Sequence, residues 1–143
     1  MKFASAVLPL LAFVSSVAAQ ASHIGVPPPG TQISPGQSLD VSIVKYNGLQ
    51  GSTEVGLVLS LQYCNPAPCP DPVNQLGFIL YTGKWTQDGF KNGQMWDNIT
   101  VTIPDFDFTT APARLVETRF HLIGAGPAAN LETNTLDLQM VVN

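Results

Sequence analysis

From residue 39 to residue 142, apolar and polar side chains alternate with a period of two, the spacing of half-buried strands and not of helices. Leu39, Val41 and Ile43 alternate with Asp40, Ser42 and Val44. Val55, Leu57, Leu59 and Leu61 share one predicted face, with Gly56, Val58, Ser60 and Gln62 on the other. The run Leu76 to Tyr81 is nearly continuous apolar, which predicts a central strand covered on both sides. Ile99, Val101 and Ile103 alternate with Thr100 and Thr102, and Leu136, Leu138, Met140 and Val142 with Asp137 and Gln139. Between residues 116 and 122, the pattern predicts Val116, Phe120 and Leu122 toward the core, with Glu117, Arg119 and His121 toward solvent. Ser22 to Val26 adds a short edge strand ahead of Pro27-Pro28-Pro29.

Turn chemistry separates these runs. Ser34-Pro35-Gly36-Gln37 precedes the first clear strand, and Asn47-Gly48 with Gln50-Gly51-Ser52 precedes the second. Later breaks fall in the proline-rich segment around residues 64–69, the Gly83 to Asp97 connection, Pro104 to Pro112, and Gly124-Ala125-Gly126-Pro127. About seven strands in a chain of this length predict an all-β fold, a two-sheet immunoglobulin-like β-sandwich. Nothing repeats internally, so one domain, residues 20–143, is expected.

Residues 1–19 follow the plan of a secretory signal. Lys2 precedes an apolar run from Ala6 to Val14, and Val17-Ala18-Ala19 satisfies the small-x-small rule for cleavage before Gln20. A membrane span needs about 20 apolar residues, and this run ends sooner, at Ser15-Ser16. The expectation is a secreted, extracellular, soluble product. Once Lys2 leaves with the signal, five basic residues face ten acidic ones, a net charge near −5. Such a surface repels phosphate backbones, which argues against nucleic acid or anionic membrane as partners. The two cysteines, Cys64 and Cys69, read as a disulfide in an exported protein. Closing so small a loop contributes about 2 kcal/mol in the chain-entropy view. Two thiols without further Cys or nearby His do not complete a zinc shell, so no metal is expected there.

Candidate chemistry is sparse. Asn98-Ile99-Thr100 is an N-glycosylation sequon that an export signal makes usable. No serine sits in a nucleophile elbow, and neither histidine stands in a catalytic context, so no enzyme activity, catalytic residue or cofactor is expected. Cleavage after Ser22 would make His23 an N-terminal copper ligand, but Ala19 is the better cleavage site. Asp105 and Asp107 flank Phe106 and form either a cation-binding pair or a solvated loop, and Gly124-x-Gly126 is a turn. The aromatics Trp85, Phe90, Trp96, Phe106 and Phe108 fall in the two longest connections and outside the alternating runs. There they either cap the sandwich or mark a contact surface for protein or polysaccharide, with Trp85 and Trp96 as sugar-stacking candidates.

Several of these segments together resemble one family. Ser34-Pro-Gly-Gln-Ser-Leu-Asp-Val41 and Gly51-Ser-Thr-Glu-Val-Gly-Leu-Val-Leu-Ser-Leu-Gln-Tyr-Cys64 resemble motifs of the fungal necrosis-inducing secreted protein effectors. The Cys69 loop, Leu76-Gly-Phe-Ile-Leu-Tyr-Thr-Gly83, Asn98-Ile-Thr-Val-Thr-Ile-Pro104, Phe120-His-Leu-Ile-Gly-Ala-Gly-Pro127 and Leu131-Glu-Thr133 extend the likeness in order. The sequence looks closest to the mushroom-lineage branch. The resemblance implies a non-catalytic effector that dampens plant pattern-triggered immunity by binding host receptor-like kinases. Nothing in the sequence demands a dimer, so a monomer is expected, with the host cytoplasm as a second location after translocation.

Overall fold

Strand β3 (Ser38–Tyr46) turns its sequence alternation directly into structure: Leu39, Val41 and Ile43 are buried while Asp40 is exposed. The computed structural model describes residues 21–47, 51–124 and 128–142. The segment read as a signal, residues 1–19, lies outside the described residues. In these, β3 is flanked by β1 (Ser22–Val26) and β7 (Gln94–Thr102), and β6 (Gly89–Lys91) completes a four-stranded antiparallel sheet, here sheet A. Sheet B has the order β2 (Gln32–Ile33), β9 (Ala128–Met140), β8 (Ala111–Ile123), β4 (Ser52–Tyr63), β5 (Phe78–Gly83). Lettered in chain order, these are strands A-B-E-D packed on A′-G-F-C-C′, the immunoglobulin arrangement. The proline run after Val26 breaks the first strand, so that β1 pairs with β3 while β2 crosses over and runs parallel to β9.

The core lies between the two inner faces. Ile43, Val41 and Val101 from sheet A meet Leu59, Leu61, Leu115 and Leu138 from sheet B, all buried almost completely. Each such side chain contributes about 1.5–3 kcal/mol by leaving water.

Four expectations need correction. The fold has nine strands among the described residues, against about seven expected. Part of the excess is a β6–β7 hairpin inside the Gly83 to Asp97 connection. Its two-residue turn is Asn92-Gly93, both at positive φ (52° and 80°), the Asn-Gly signal of a type I′ turn. The apolar run at residues 76–81 is not a central strand. Strand β5 pairs only with β4 and forms the edge of sheet B. At β4, a bulge between Glu54 and Gly56 leaves Val55 unpaired and exposed, and lets Glu54 reach inward in its place.

The fourth correction concerns β8. Its pairing with β9 runs without irregularity from Ala111 to Ile123. Burial of Ala113 and Leu115 therefore forces Glu117, Arg119 and His121 inward as well. Those three are 0%, 0% and 1% exposed, and Phe120 is on the outer face instead. Val116 is buried as expected, but with apolar residues at both 115 and 116 the pattern leaves the parity open, and Glu117, Arg119 and His121 take the side opposite to the one expected.

Candidate functional site

The inward residues of β8 build a polar cluster at one end of an otherwise apolar interior. On β3 the inner face reads Leu39, Val41, Ile43, then Lys45. Lys45 donates to Ser52 Oγ at 2.8 Å and pairs with Glu54 from the β4 bulge. Arg119 Nη1 lies 3.6 Å from the same Glu54 carboxylate, and its Nη2 donates to Glu132 Oε2 at 2.6 Å. Glu132 Oε1 in turn accepts the Ser22 backbone N–H at 2.8 Å, which ties β1 across to β9. Ser22 Oγ donates to Glu117 Oε1 at 2.6 Å, and Asn134 Nδ2 donates to Glu117 Oε2 at 3.1 Å. His121 Nε2 meets the Asn130 amide at 3.3 Å.

Charge explains how this cluster survives burial. Lys45 and Arg119 oppose three carboxylates, so the balance closes when one carboxyl holds a proton. Burial raises the Glu117 pKa above 4.5, and Glu132 pushes the same way, against the hydrogen bonds from Ser22 and Asn134. Burial also opposes ionisation of Glu54, but the Lys45 hydrogen bond and the Arg119 and Lys45 charges outweigh it and hold that carboxyl below 4.5. His121 is pushed below 6.5 by burial and by Arg119, which favours a neutral ring accepting from Asn130. The chemistry is that of a structural lock: it fastens β1, β3, β4, β8 and β9 at one end. No metal-binding group of three or more His, Cys, Asp or Glu occurs among the described residues. Sequence reasoning missed the cluster, although Lys45 continuing the apolar parity of β3 was a signal for it.

The aromatic candidates do not form one site. Phe108 is buried and belongs to the core, with its ring 4.8 Å from Tyr63 and 5.6 Å from Phe78. Phe106, 61% exposed, stands over that group with its ring 5.2 Å from Phe78. Tyr63 Oη accepts from the Thr109 backbone N–H and from Asn65 Nδ2, both at 3.1 Å, which fixes the 103–110 connection to the cysteine loop. Cys64 and Cys69 are disulfide-bonded, as expected. Phe106, its aromatic base, the disulfide and the open edge of β5 thus gather at the end opposite the polar cluster.

Trp85, Phe90 and Trp96 lie elsewhere. Trp85 is half-buried against the core, with the Lys45 ammonium 5.6 Å from its ring centroid. Phe90 and Trp96 are not in a loop but in β6 and β7. Trp96 alternates with buried Asp97 and points to the outer face of sheet A, so the two indoles do not share a stacking platform. Phe90 is exposed near the sheet edge. His23 is on the outer face, 6.1 Å from the Tyr46 ring, whereas His121 is interior, so the two imidazoles share no site. Asp105 and Asp107 are both exposed beside Phe106. Asn98 is exposed on the outer face of β7.

The fold is an immunoglobulin-like β-sandwich with a polar lock at one end and an exposed aromatic at the other. A family model matches residues 17–138, most of the chain, and the protein belongs to the Nis1 family, a fungal effector-type family. A search among curated proteins finds no match.

Proposed function

We propose that this protein is a secreted effector that suppresses plant pattern-triggered immunity by binding host receptor-like kinases, without catalysis. The observation that carries the reading is the match to an effector-type family over residues 17–138. The mushroom-lineage branch and the necrosis-inducing association rest on the sequence resemblance and belong to the same proposal. Phe106 is the contact residue of choice. It is exposed, rigidly backed by Phe78 and Phe108, and next to a sheet edge open to strand addition. The test is the oxidative burst of leaf tissue triggered by a microbial elicitor, with and without purified residues 20–143. A suppressed burst that returns when Phe106 is replaced by Ser supports the reading. An unchanged burst overturns it.

A further inference from the structure

The outer face of sheet A carries a groove that the immune-kinase reading does not use. Strand β1 stops at Val26, opposite Ser42, so the lower part of β3 has no neighbour on that side. There Val26, Asp40, Ser42, Asn98 and Thr100 line an open groove of about 370 Å³, within the range of small-molecule clefts. Its walls are fixed. Thr100 Oγ1 donates to Asp40 Oδ1 at 2.6 Å across the β3–β7 pair, and the Asn98 backbone N–H donates to Asp88 Oδ2 at 2.7 Å.

The acceptor asparagine of the sequon opens into this groove. Period two along β7 sets Trp96, Asn98 and Thr100 in a row on one face. The Trp96 indole lies across Gly89 of β6, so closely that a Cβ there would sit 2.1 Å from its Cζ2. The indole thus covers β6, on the side of β7 away from β3, and leaves the groove to Val26 and the side chains of β3 and β7. The groove suits a sugar, which offers its C–H face and acetamido methyl to Val26 and its hydroxyl groups to Asp40, Ser42 and Thr100.

We infer that Asn98 is N-glycosylated and that the first N-acetylglucosamine seats in this groove, over β3 and against Val26, as a fixed part of the outer face of sheet A. The donor is a lipid-pyrophosphate-linked oligosaccharide. The Asn98 amide nitrogen attacks C1 of its reducing-end sugar, a C–N bond forms, and the C1–O bond to pyrophosphate breaks. The lipid pyrophosphate leaves with the electron pair, and the amide nitrogen gives up one proton. Since Asn98 lies within a paired strand, the transfer precedes closure of sheet A.

The full chain secreted from a glycosylating yeast is the material for the test. Intact mass before and after peptide N-glycosidase should show loss of one glycan, with Asn98 converted to Asp. Glycan trimmed to its single core sugar should then give nuclear Overhauser contacts from the acetamido methyl to the Val26 methyls. Release by the glycosidase should be slower from the native than from the denatured protein. Unmodified Asn98 in the secreted product overturns the inference. So does a core sugar with no contact to Val26, a result that needs no variant to fold.

Discussion

Glu117 sits between the sheets with one carboxylate oxygen on Ser22 and the other on Asn134, facing Arg119 and Glu132 from neighbouring positions. Because its folded pKa is raised above 4.5, the native state holds this proton more tightly than the unfolded chain. The stabilisation from that proton is complete below pH 4.5 and is lost as pH rises through the folded value. Glu54 and His121 work in the opposite sense. Both folded values are lowered, so their contributions are present above 4.5 and 6.5 and fade as pH falls through the folded values. Glu117→Gln removes only the first effect. Urea midpoints should show the variant gaining on the wild type as pH goes from 4 to 8, with Lys45, Glu54, Arg119, Glu132 and His121 left to set the remaining profile. An identical pH dependence in both proteins would refute the assignment. Arg119→Met leaves the Glu54 and Glu132 carboxylates facing each other with only Lys45 nearby, and should cost about 3–5 kcal/mol in the same measurement.

At the scale of elements, strands are legible wherever one face is apolar and the other polar. That is why β3 and the C-terminal half of β9 were read correctly. Legibility fails where burial is polar: on β8 the rule that charged residues face water gave the reverse parity, because Glu117 and Arg119 neutralise partners that alternation does not display. It fails again at β5, where a continuous apolar run serves an edge strand. Its side chains there cover the core from one side, with Ile79 half in solvent on the other. The Asn92-Gly93 pair carries a hairpin signal that the expectation of a long connection from Gly83 to Asp97 leaves out. The entry to β5 depends on Gly77, whose φ is +85° and whose Cβ, if present, would lie 2.2 Å from the Leu61 carbonyl oxygen. Gly77→Ala should therefore lose more than about 1 kcal/mol in denaturant titration. Gly36→Ala, also at positive φ (+74°) but with open space around it, should lose less. Equal losses would show that φ alone, and not the packing of β5 on β4, controls this junction.

Across the whole molecule, the candidate residues divide by location. The polar lock occupies one end, Phe106 and the disulfide the other, and the Asn98 groove the outer face of sheet A. Phe106 and Asn98 stand out in the sequence, but their placement does not: Asn98 is on the outer face of sheet A and Phe106 packs on Phe78 of sheet B. Two consequences follow for recognition. A glycan at Asn98 leaves the Phe106 end open, so glycosylated and deglycosylated protein should bind a kinase partner alike. A surface residue such as Phe106 should also be separable from stability. Phe106→Ser is expected to keep the wild-type melting temperature within a few degrees, about what a surface change outside the core allows.

The most direct measurement is retention of purified residues 20–143, wild type and Phe106→Ser, on immobilised kinase domains of plant immune receptor-like kinases, with unrelated plant kinases alongside. The account predicts that the wild type is held selectively by the immune kinases and that the Ser variant is released at least tenfold more readily, a difference of about 1.4 kcal/mol. No selective retention of the wild type at micromolar concentration would contradict it.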